Sequence, residues 1–224
     1  MPITNGRTDE NKKRILRKYR LHPVMHTRLL NGKTVKCCCG DTLNVGGTDA
    51  EYHQFDAIDL ASGAAVDTLY AGQGCAKAFE RLSQAPGISW ITLLPLFNPL
   101  QPVQGGGGGG HGQPGNSAPI APINAEIEQA INLTLICWNS PPRSGGVFSK
   151  LLAKIRRFPN QPLSDSEVRS INTAIGPRGG TLTARLAVLR ANNPTLRHYA
   201  FPAIAAVLQS EAVRLGTPIN NNLQ

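Results

Sequence analysis

Hydrophobic and polar residues follow different patterns in the two halves of the chain. Residues 52–72 place aromatic and aliphatic side chains on either side of the turn sequence ASGA at residues 61–64, which is the pattern of a β-hairpin. Residues 76–85 then carry apolar side chains at helical spacing as far as Pro86, which stops a helix. The pattern therefore predicts a hairpin followed by a short amphipathic helix.

The N-terminal segment mixes basic and apolar residues. Residues 10–24 read ENKKRILRKYRLHPV and predict a short basic helix. This helix should end before Pro23, because the residue that precedes a proline disfavours the helical conformation.

Apolar residues recur at helical spacing throughout the C-terminal half. The predicted helices begin at Asn124, a candidate N-cap, and then occupy residues 147–158, 164–175, 181–191 and 203–215. Ser164 and Glu167 have the spacing of a capping box, and Gly216 is placed to end the last helix. We therefore predict a bundle of four or five helices.

A glycine-rich segment separates the two halves. Residues 101–123 contain six consecutive glycines together with proline, serine and asparagine. Such a composition cannot bury enough apolar surface to offset chain entropy, so we predict a flexible linker. It joins an N-terminal module at residues 1–100 to a helical domain at residues 124–224.

The apolar content argues against a membrane protein. The longest apolar run, residues 88–100, is interrupted by Pro95 and is too short to span a bilayer. The N-terminus shows no apolar stretch followed by a small-residue cleavage site, so we expect no secretory signal. The expected location is cytoplasmic, without a membrane partner.

Positive charge is concentrated at the two ends of this chain of 224 residues, whose net charge is +9. Residues 1–30 hold eight Lys or Arg against two acids, residues 31–100 hold four against seven, and residues 119–224 hold eleven against five. A basic arm and a basic C-terminal half predict partners that carry phosphates. Solubility alone is the alternative explanation of such a surface.

Three adjacent cysteines occur in the sequence VKCCCG at residues 35–40, and the whole chain contains five. In a reducing compartment, clustered cysteines are more often metal ligands or catalytic groups than disulfide partners. Cys39 and Gly40 offer one knuckle, and Cys75 lies at a predicted helix start, where the helix dipole favours a thiolate. A cysteine cluster, a hairpin and a further cysteine at a helix start follow the order of a treble-clef zinc finger.

Residues 35–83 resemble a knuckle–hairpin–helix module of bacterial and phage proteins, a treble-clef-like zinc knuckle. In that module a CxxCG knuckle precedes aromatic strands, a turn with glycine, and a helix start of the form G-x-x-Cys-Ala. The resemblance implies a metal-binding fold with a structural ion, and it implies no particular reaction. This chain departs from the module, because position 36 is lysine and the helix carries one cysteine.

The cysteine order and the resemblance together select candidate ligands for a structural Zn²⁺. Cys39 and Cys75 match the module best, and Cys37 is the third ligand. The candidates for the fourth position are His26, which is included in the predicted set, His53, Cys38 or no protein group. Buried core cysteines, or thiols with redox or nucleophilic roles, are the competing interpretations.

Sequence signatures of zinc hydrolases and zinc deaminases are absent. No H-E-x-x-H occurs, and neither does the combination of His-x-Glu with Pro-Cys-x-x-Cys. We therefore predict a protein without enzymatic activity, and a cysteine- or zinc-dependent hydrolase is the weakest alternative.

Two groups of basic residues are candidates for contact with nucleic-acid phosphates. The group in the arm comprises Lys12, Lys13, Arg14, Arg17, Lys18 and Arg20, and the group in the helical domain comprises Lys150, Lys154, Arg156 and Arg157. Such side chains give salt-dependent affinity that tolerates changes of sequence. Aromatic residues make up 5% of the chain, so contact with a duplex backbone fits better than base stacking.

These observations predict an α+β protein, in which a small zinc-stabilised β-hairpin/helix module is followed by an all-α helical domain. The predicted function is that of a non-enzymatic, zinc-binding protein of bacterial or phage type that contacts nucleic acid. The alternative is a protein-interaction adaptor, or a delivered effector, whose linker lets two modules engage separate partners.

Overall fold

A computed structural model describes residues 5–44, 51–100, 120–138, 145–176 and 179–224. Its helices are α1 (Asp9–Lys18), α2 (Gln73–Ser83), α3 (Pro122–Cys137), α4 (Val147–Arg157), α5 (Asp165–Ile175), α6 (Leu182–Asn192) and α7 (Pro202–Leu215). Its strands are β1 (Tyr19–Arg28), β2 (Val35–Lys36), β3 (Thr42–Leu43), β4 (Glu51–Asp59) and β5 (Ala65–Gly72). The predicted α+β class, with a helical portion, is confirmed. Among the described helices, none is long and apolar enough to cross a membrane.

The chain divides into two compact units. The first unit comprises Met1–Pro99 and Asn139–Ser149, and the second comprises Leu100–Trp138 and Lys150–Gln224. The grouping of residues 139–149 with the first unit has no counterpart in the sequence-based division. Residues 101–119 of the predicted linker lie outside the described residues, whereas its last two residues already belong to α3.

An antiparallel sheet with the strand order β1-β4-β5 forms the centre of the first unit, and β2 pairs with β3. β4 and β5 are the predicted hairpin, which is confirmed. Gly63 in the connecting turn has φ +68°, a conformation that residues with a side chain rarely adopt. The hydrophobic alternation of β4 is imperfect because every residue from Tyr52 to Ala57 is buried, on both faces of the sheet.

The predicted basic helix at the N-terminus is present as α1, but it ends at Lys18, five residues before Pro23. The strand that follows, β1, contains Pro23, and the local sequence pattern does not predict it. β1 lies at an edge of the sheet, where the missing N–H of a proline is tolerated. Its register with β4 shifts between Pro23 and Met25, which marks a bulge.

The core of the first unit lies between the sheet and α2. The rings of Phe55 on β4 and Phe79 on α2 meet edge to face, with centroids 6.4 Å apart, and both side chains are fully buried. Ala76 and Leu82 are buried on the same helix, as the sequence pattern predicts. This packing holds the start of α2 against the end of the hairpin.

Helix α3 is central to the second unit and packs against α5, α6 and α7. Its residues from Ala130 to Ile136 are all buried, as expected of a helix surrounded by partners. The predicted capping box of α5 is confirmed, because the N–H of Ser164 donates to the carboxylate of Glu167 at 2.9 Å. Gly216 ends α7 with φ +64°, also as predicted.

Asn124 does not cap α3 but lies inside its first turn, because the helix begins at Pro122. The side chain is buried, and its amide donates to the carbonyls of Pro159 and Gln161 at 2.9 and 2.8 Å. Its oxygen accepts from the N–H of Leu163 at 3.0 Å. Asn124 therefore joins α3 to the segment between α4 and α5.

Truncation of Phe55 tests the assignment of the core. We expect Phe55→Ala to lower the free energy of unfolding by about 3–5 kcal/mol, because it removes a buried ring and leaves a cavity. Leu60→Ala, at the 49% exposed end of the hairpin, should change it by about 0.5 kcal/mol or less. Hydrogen exchange of β4 amides measures both effects, and equal protection in the two variants would contradict the assignment.

Candidate metal centre

Three cysteine thiols converge in the first unit. The Sγ atoms of Cys37, Cys38 and Cys75 all lie within 4.8 Å of one another, and those of Cys37 and Cys38 are 4.0 Å apart. We call these three residues the thiol trio. Cys37 and Cys38 are buried, and Cys75 is half-buried. The trio therefore joins two segments that are distant in sequence.

Main-chain hydrogen bonds fix the turn that carries the first two thiols. The N–H of Cys38 donates to the carbonyl of Tyr70 on β5 at 2.7 Å, and the N–H of Cys37 donates to the carbonyl of Asp41 at 2.8 Å. Gly40 has φ +95° and closes the turn with a bond from its N–H to the carbonyl of Cys37 at 2.9 Å. The turn is thereby attached to the end of the hairpin.

The third thiol is placed by the junction between β5 and α2. β5 ends at Gly72, which is the N-cap of α2, and Cys75 lies in the first turn of that helix. Here unpaired backbone N–H groups and the helix dipole favour a thiolate. The N–H of Gly72 points instead at the sulfur of Cys37, 3.4 Å away.

The N-terminal segment closes over the trio. The N–H of Gly6 donates to the carbonyl of Cys38 at 2.8 Å. A Cβ atom at position 6 would lie 3.1 Å from the Sγ of Cys38, closer than side chains usually pack. Only glycine fits this approach without displacing the thiol.

Hydrogen bonding among the thiols lowers the pKa of Cys37 and raises the pKa values of Cys38 and Cys75. Bonds from the side chains of Cys38 and Cys75, and from the N–H groups of Cys39 and Gly72, hold the pKa of Cys37 well below its usual range. The pKa of Cys38 is raised, chiefly because its thiol donates to the sulfur of Cys37. The pKa of Cys75 is also raised, chiefly by its hydrogen bond with Cys37.

The geometry of the trio fits a thiophilic metal ion. Tetrahedral Zn²⁺ with Zn–S bonds of about 2.3 Å places its sulfur ligands about 3.8 Å apart. The separation of 4.0 Å between the sulfurs of Cys37 and Cys38 is close to this value, and a small rotation of side chains would bring Cys75 to the same distance. Three cysteines can therefore hold such an ion.

The structure brings together two of the four predicted ligands, Cys37 and Cys75, and adds Cys38 to them. Cys39 lies outside the trio, and its thiol donates to the carboxylate of Asp41 at 3.3 Å. Burial raises the pKa of Cys39 to about 12. Residue spacing alone does not distinguish Cys38 from Cys39, because the choice depends on which thiol the turn directs toward α2.

The two candidate histidines lie on the sheet, outside the trio. The rings of His26 and His53 stack with centroids 3.8 Å apart. The Nδ1 of His26 is 2.9 Å from the carbonyl of Leu94, and its Nε2 is 3.4 Å from the carboxylate of Glu51. His26 was included in the predicted set, but the structure engages its ring elsewhere.

The basic residues of the arm differ in their surroundings. Lys12 is buried, with its ammonium 3.3 Å from the carbonyl of Arg7, and Lys13 pairs with Glu10 at 3.7 Å. The other four are exposed, and none of them forms an ion pair with a carboxylate among the described residues. These four are Arg14, Arg17, Lys18 and Arg20.

The basic residues of α4 are partly neutralised. Lys154 forms an ion pair with Glu167 at 2.6 Å, and Arg156 lies 3.8 Å from Glu128. Burial lowers the pKa of Arg156. The guanidinium of Arg157 lies over the ring of Phe158, and Lys150 is exposed. Two of the four basic side chains of α4 therefore lie beside a carboxylate.

Comparison with known proteins adds one finding. A family model described as "Uncharacterised conserved protein UCP028583" matches residues 4–217, which include the thiol trio and parts of both units. The chain belongs to this family. Neither the curated proteins nor the solved structures give a match.

The buried His53 predicts acid sensitivity of the sheet. Burial lowers the pKa of His53 to about 3, so the folded state keeps the imidazole neutral. The unfolded chain takes up this proton first, at its ordinary pKa of about 6.5. The stability that depends on neutral His53 is therefore complete above about pH 6.5 and is lost progressively as pH falls toward 3.

His53→Gln tests this dependence. Hydrogen exchange of β4 amides, measured between pH 7 and pH 4, should show protection falling more steeply in the wild type than in the variant. At most, one such group changes the free energy of unfolding by about 1.4 kcal/mol per pH unit. Parallel pH profiles for the two proteins would show that His53 does not contribute.

Proposed function

We propose that the protein binds Zn²⁺ through Cys37, Cys38 and Cys75, and that the ion organises the first unit without taking part in a reaction. The supporting observation is the convergence of three thiols from two segments on one buried point. Free cysteines that only fill a core have no reason to converge in this way. Softness of the thiolate ligands favours zinc over magnesium or calcium.

A structural role follows from what the ion would connect. One end of the link is the turn beside β5, and the other is the first turn of α2. An ion at this point closes a loop of more than thirty residues that includes the whole hairpin, and its binding energy becomes folding energy. The carboxylate of Asp41, which follows the cysteines in the same turn, is exposed and is engaged by Arg7 and Cys39.

Metal content provides the direct test. Purified wild-type protein should contain about one equivalent of Zn²⁺, measured by mass spectrometry of the metal. Cys75→Ala should lose it and unfold the first unit, because the remaining ligands come from one segment. Removal of the metal from the wild type with a chelator should also unfold the first unit, and hydrogen exchange would detect this as a loss of amide protection.

Two variants that each lack one cysteine serve as matched controls. Cys39→Ala and Cys137→Ala each remove one thiol that lies outside the trio. Both should retain the metal and the fold. A wild-type protein that contains no metal and binds none from solution would refute the proposal.

A second function is favoured by the unpaired cations on α1 and β1. Arg14, Arg17, Lys18 and Arg20 lie close together in sequence at the end of one helix and the start of the next strand, and no described carboxylate forms an ion pair with them. Cations at this density suit the phosphates of a nucleic-acid duplex. We propose that the metal-organised unit presents this cluster to a duplex backbone.

Electrophoretic mobility shift with duplex DNA at two salt concentrations tests this second function. The triple variant Arg14→Ala/Arg17→Ala/Arg20→Ala should bind more weakly. Each phosphate contact that is lost should reduce the slope of log affinity against log salt by about 0.9. Loss of three contacts predicts a change of about 2.7.

The matched control removes the same charge from paired residues. Arg7, Lys13 and Arg81 each form an ion pair, with Asp41, Glu10 and Asp9 respectively. Replacing these three by alanine should leave the salt slope nearly unchanged. If the wild type does not bind at low salt, the nucleic-acid function is excluded and a protein partner becomes the explanation of the surface.

A further inference from the structure

Three polar side chains of the sheet have buried atoms without hydrogen-bond partners. They are Gln54 and Asp56 on β4, with exposed fractions of 1% and 2%, and Thr68 on β5. Within the part of the chain that the structure describes, the Nε2 of Gln54, the Oδ1 of Asp56 and the Oγ1 of Thr68 have no hydrogen-bond partner. Such atoms are rare in folded proteins, because each one costs free energy unless water, an ion or a ligand satisfies it.

The strand geometry places these side chains on one face of the sheet. Asp56 and Thr68 are directly opposite in the antiparallel pairing of β4 with β5, so their Cβ atoms are about 4.5–5.5 Å apart. Gln54 precedes Asp56 by two residues on the same strand and shares its face. Phe55, which packs against α2, lies on the opposite face. We call Gln54, Asp56 and Thr68 the Asp56 cluster.

The second oxygen of Asp56 is held by the backbone. Its Oδ2 accepts from the N–H of Gly145 at 2.9 Å. Gly145 has φ +66°, and a Cβ atom at this position would lie 2.6 Å from the Cβ of Ala65, so only glycine fits here. The carboxylate is therefore fixed with one oxygen bonded, and no ion pair among the described residues involves it.

The chemistry of the cluster selects a cation. The carboxylate oxygen that lacks a partner lies beside a hydroxyl oxygen that also lacks one. The amide of Gln54 can add its own oxygen by turning about its last bond. Oxygen atoms of these kinds bind hard cations. Since the cluster holds one carboxylate, a monovalent cation leaves it neutral, whereas a divalent ion leaves a positive charge that is costly to bury.

We propose that the Asp56 cluster binds a monovalent cation, namely sodium, potassium or ammonium, through Asp56, Thr68 and Gln54. The cation takes the position next to the Oδ1 of Asp56 and joins β4 to β5. This site shares no residue with the thiol trio and does not depend on the proposed zinc site.

The stability of the full chain in different chloride salts, at constant ionic strength, tests the proposal. The reference salt is tetramethylammonium chloride, because its cation is bulky and donates no hydrogen bond. Na⁺, K⁺ or NH₄⁺ should raise the hydrogen-exchange protection of β4 amides, by about tenfold when the cation is at about ten times its dissociation constant. Equal protection in all salts would refute the site and assign the buried atoms to ordered water. Stabilisation by Mg²⁺ alone would refute the charge argument.

Three variants locate the effect. Asp56→Asn removes the charge and keeps an oxygen that accepts from Gly145, so it should fold and lose the dependence on the cation. Thr68→Val removes the hydroxyl and should weaken that dependence. Asp59→Asn is the matched control on the same strand, because the carboxylate of Asp59 is already bonded to the N–H groups of Ala61 and Ser62. It should respond to the cation as the wild type does, and a loss of response there would contradict the assignment.

Two basic groups of the chain itself are the alternative partners of Asp56. His22 is opposite Asp56 on β1, and Arg143 precedes Gly145 by two residues in the sequence. If either group neutralises Asp56, the wild type should be insensitive to the cation, and His22→Gln or Arg143→Gln should make it sensitive. That result would overturn the proposal. A response to the cation that persists in both variants supports it.

Discussion

The direct continuation of β5 into α2 is the constraint on which the first unit depends. Gly72 ends the strand and caps the helix, so Cys75 is fixed relative to the sheet by only three residues. The bond from the N–H of Cys38 to the carbonyl of Tyr70 fixes the other two thiols to the same strand end. Since both attachments are made by the backbone, an ion held by the three thiols would tie the turn, the strand end and the start of the helix together.

Elements with a strong local signal could be predicted from the sequence. The hairpin has a turn with glycine between two apolar runs, and α5 has the capping pair Ser164 and Glu167, so both were found. β1 was missed for the opposite reason. It lies at a sheet edge and includes Pro23, and only its pairing with the distant β4 makes it a strand. Long-range pairing leaves little trace in a local pattern.

In the candidate site too, some features could be predicted from the sequence and others could not. The cysteines near residue 38 precede the hairpin and Cys75 follows it, so this order predicts that they lie close together. Which of three adjacent thiols turns inward depends on the bonds of Cys37 to Asp41 and of Cys38 to Tyr70, and spacing carries no information about these. Lys12 was assigned to the basic arm because charge is visible in a sequence, whereas the burial of one charged residue among exposed neighbours is not.

The basic residues of α1 and α4 differ more in how many carboxylates lie beside them than in their number. On α4, Glu167 and Glu128 lie beside two of the four basic residues. The positive electrostatic potential around that helix is therefore weaker than its net charge suggests. On α1, the acidic first turn is engaged by Arg81 and Lys13, and the described cations of the last turn and the start of β1 form no ion pair within 4 Å. Exposed pairs are worth little to stability, yet they cancel the field that attracts a polyanion. Among the described residues, the cations at the end of α1 and the start of β1 therefore have fewer carboxylate partners than those of α4.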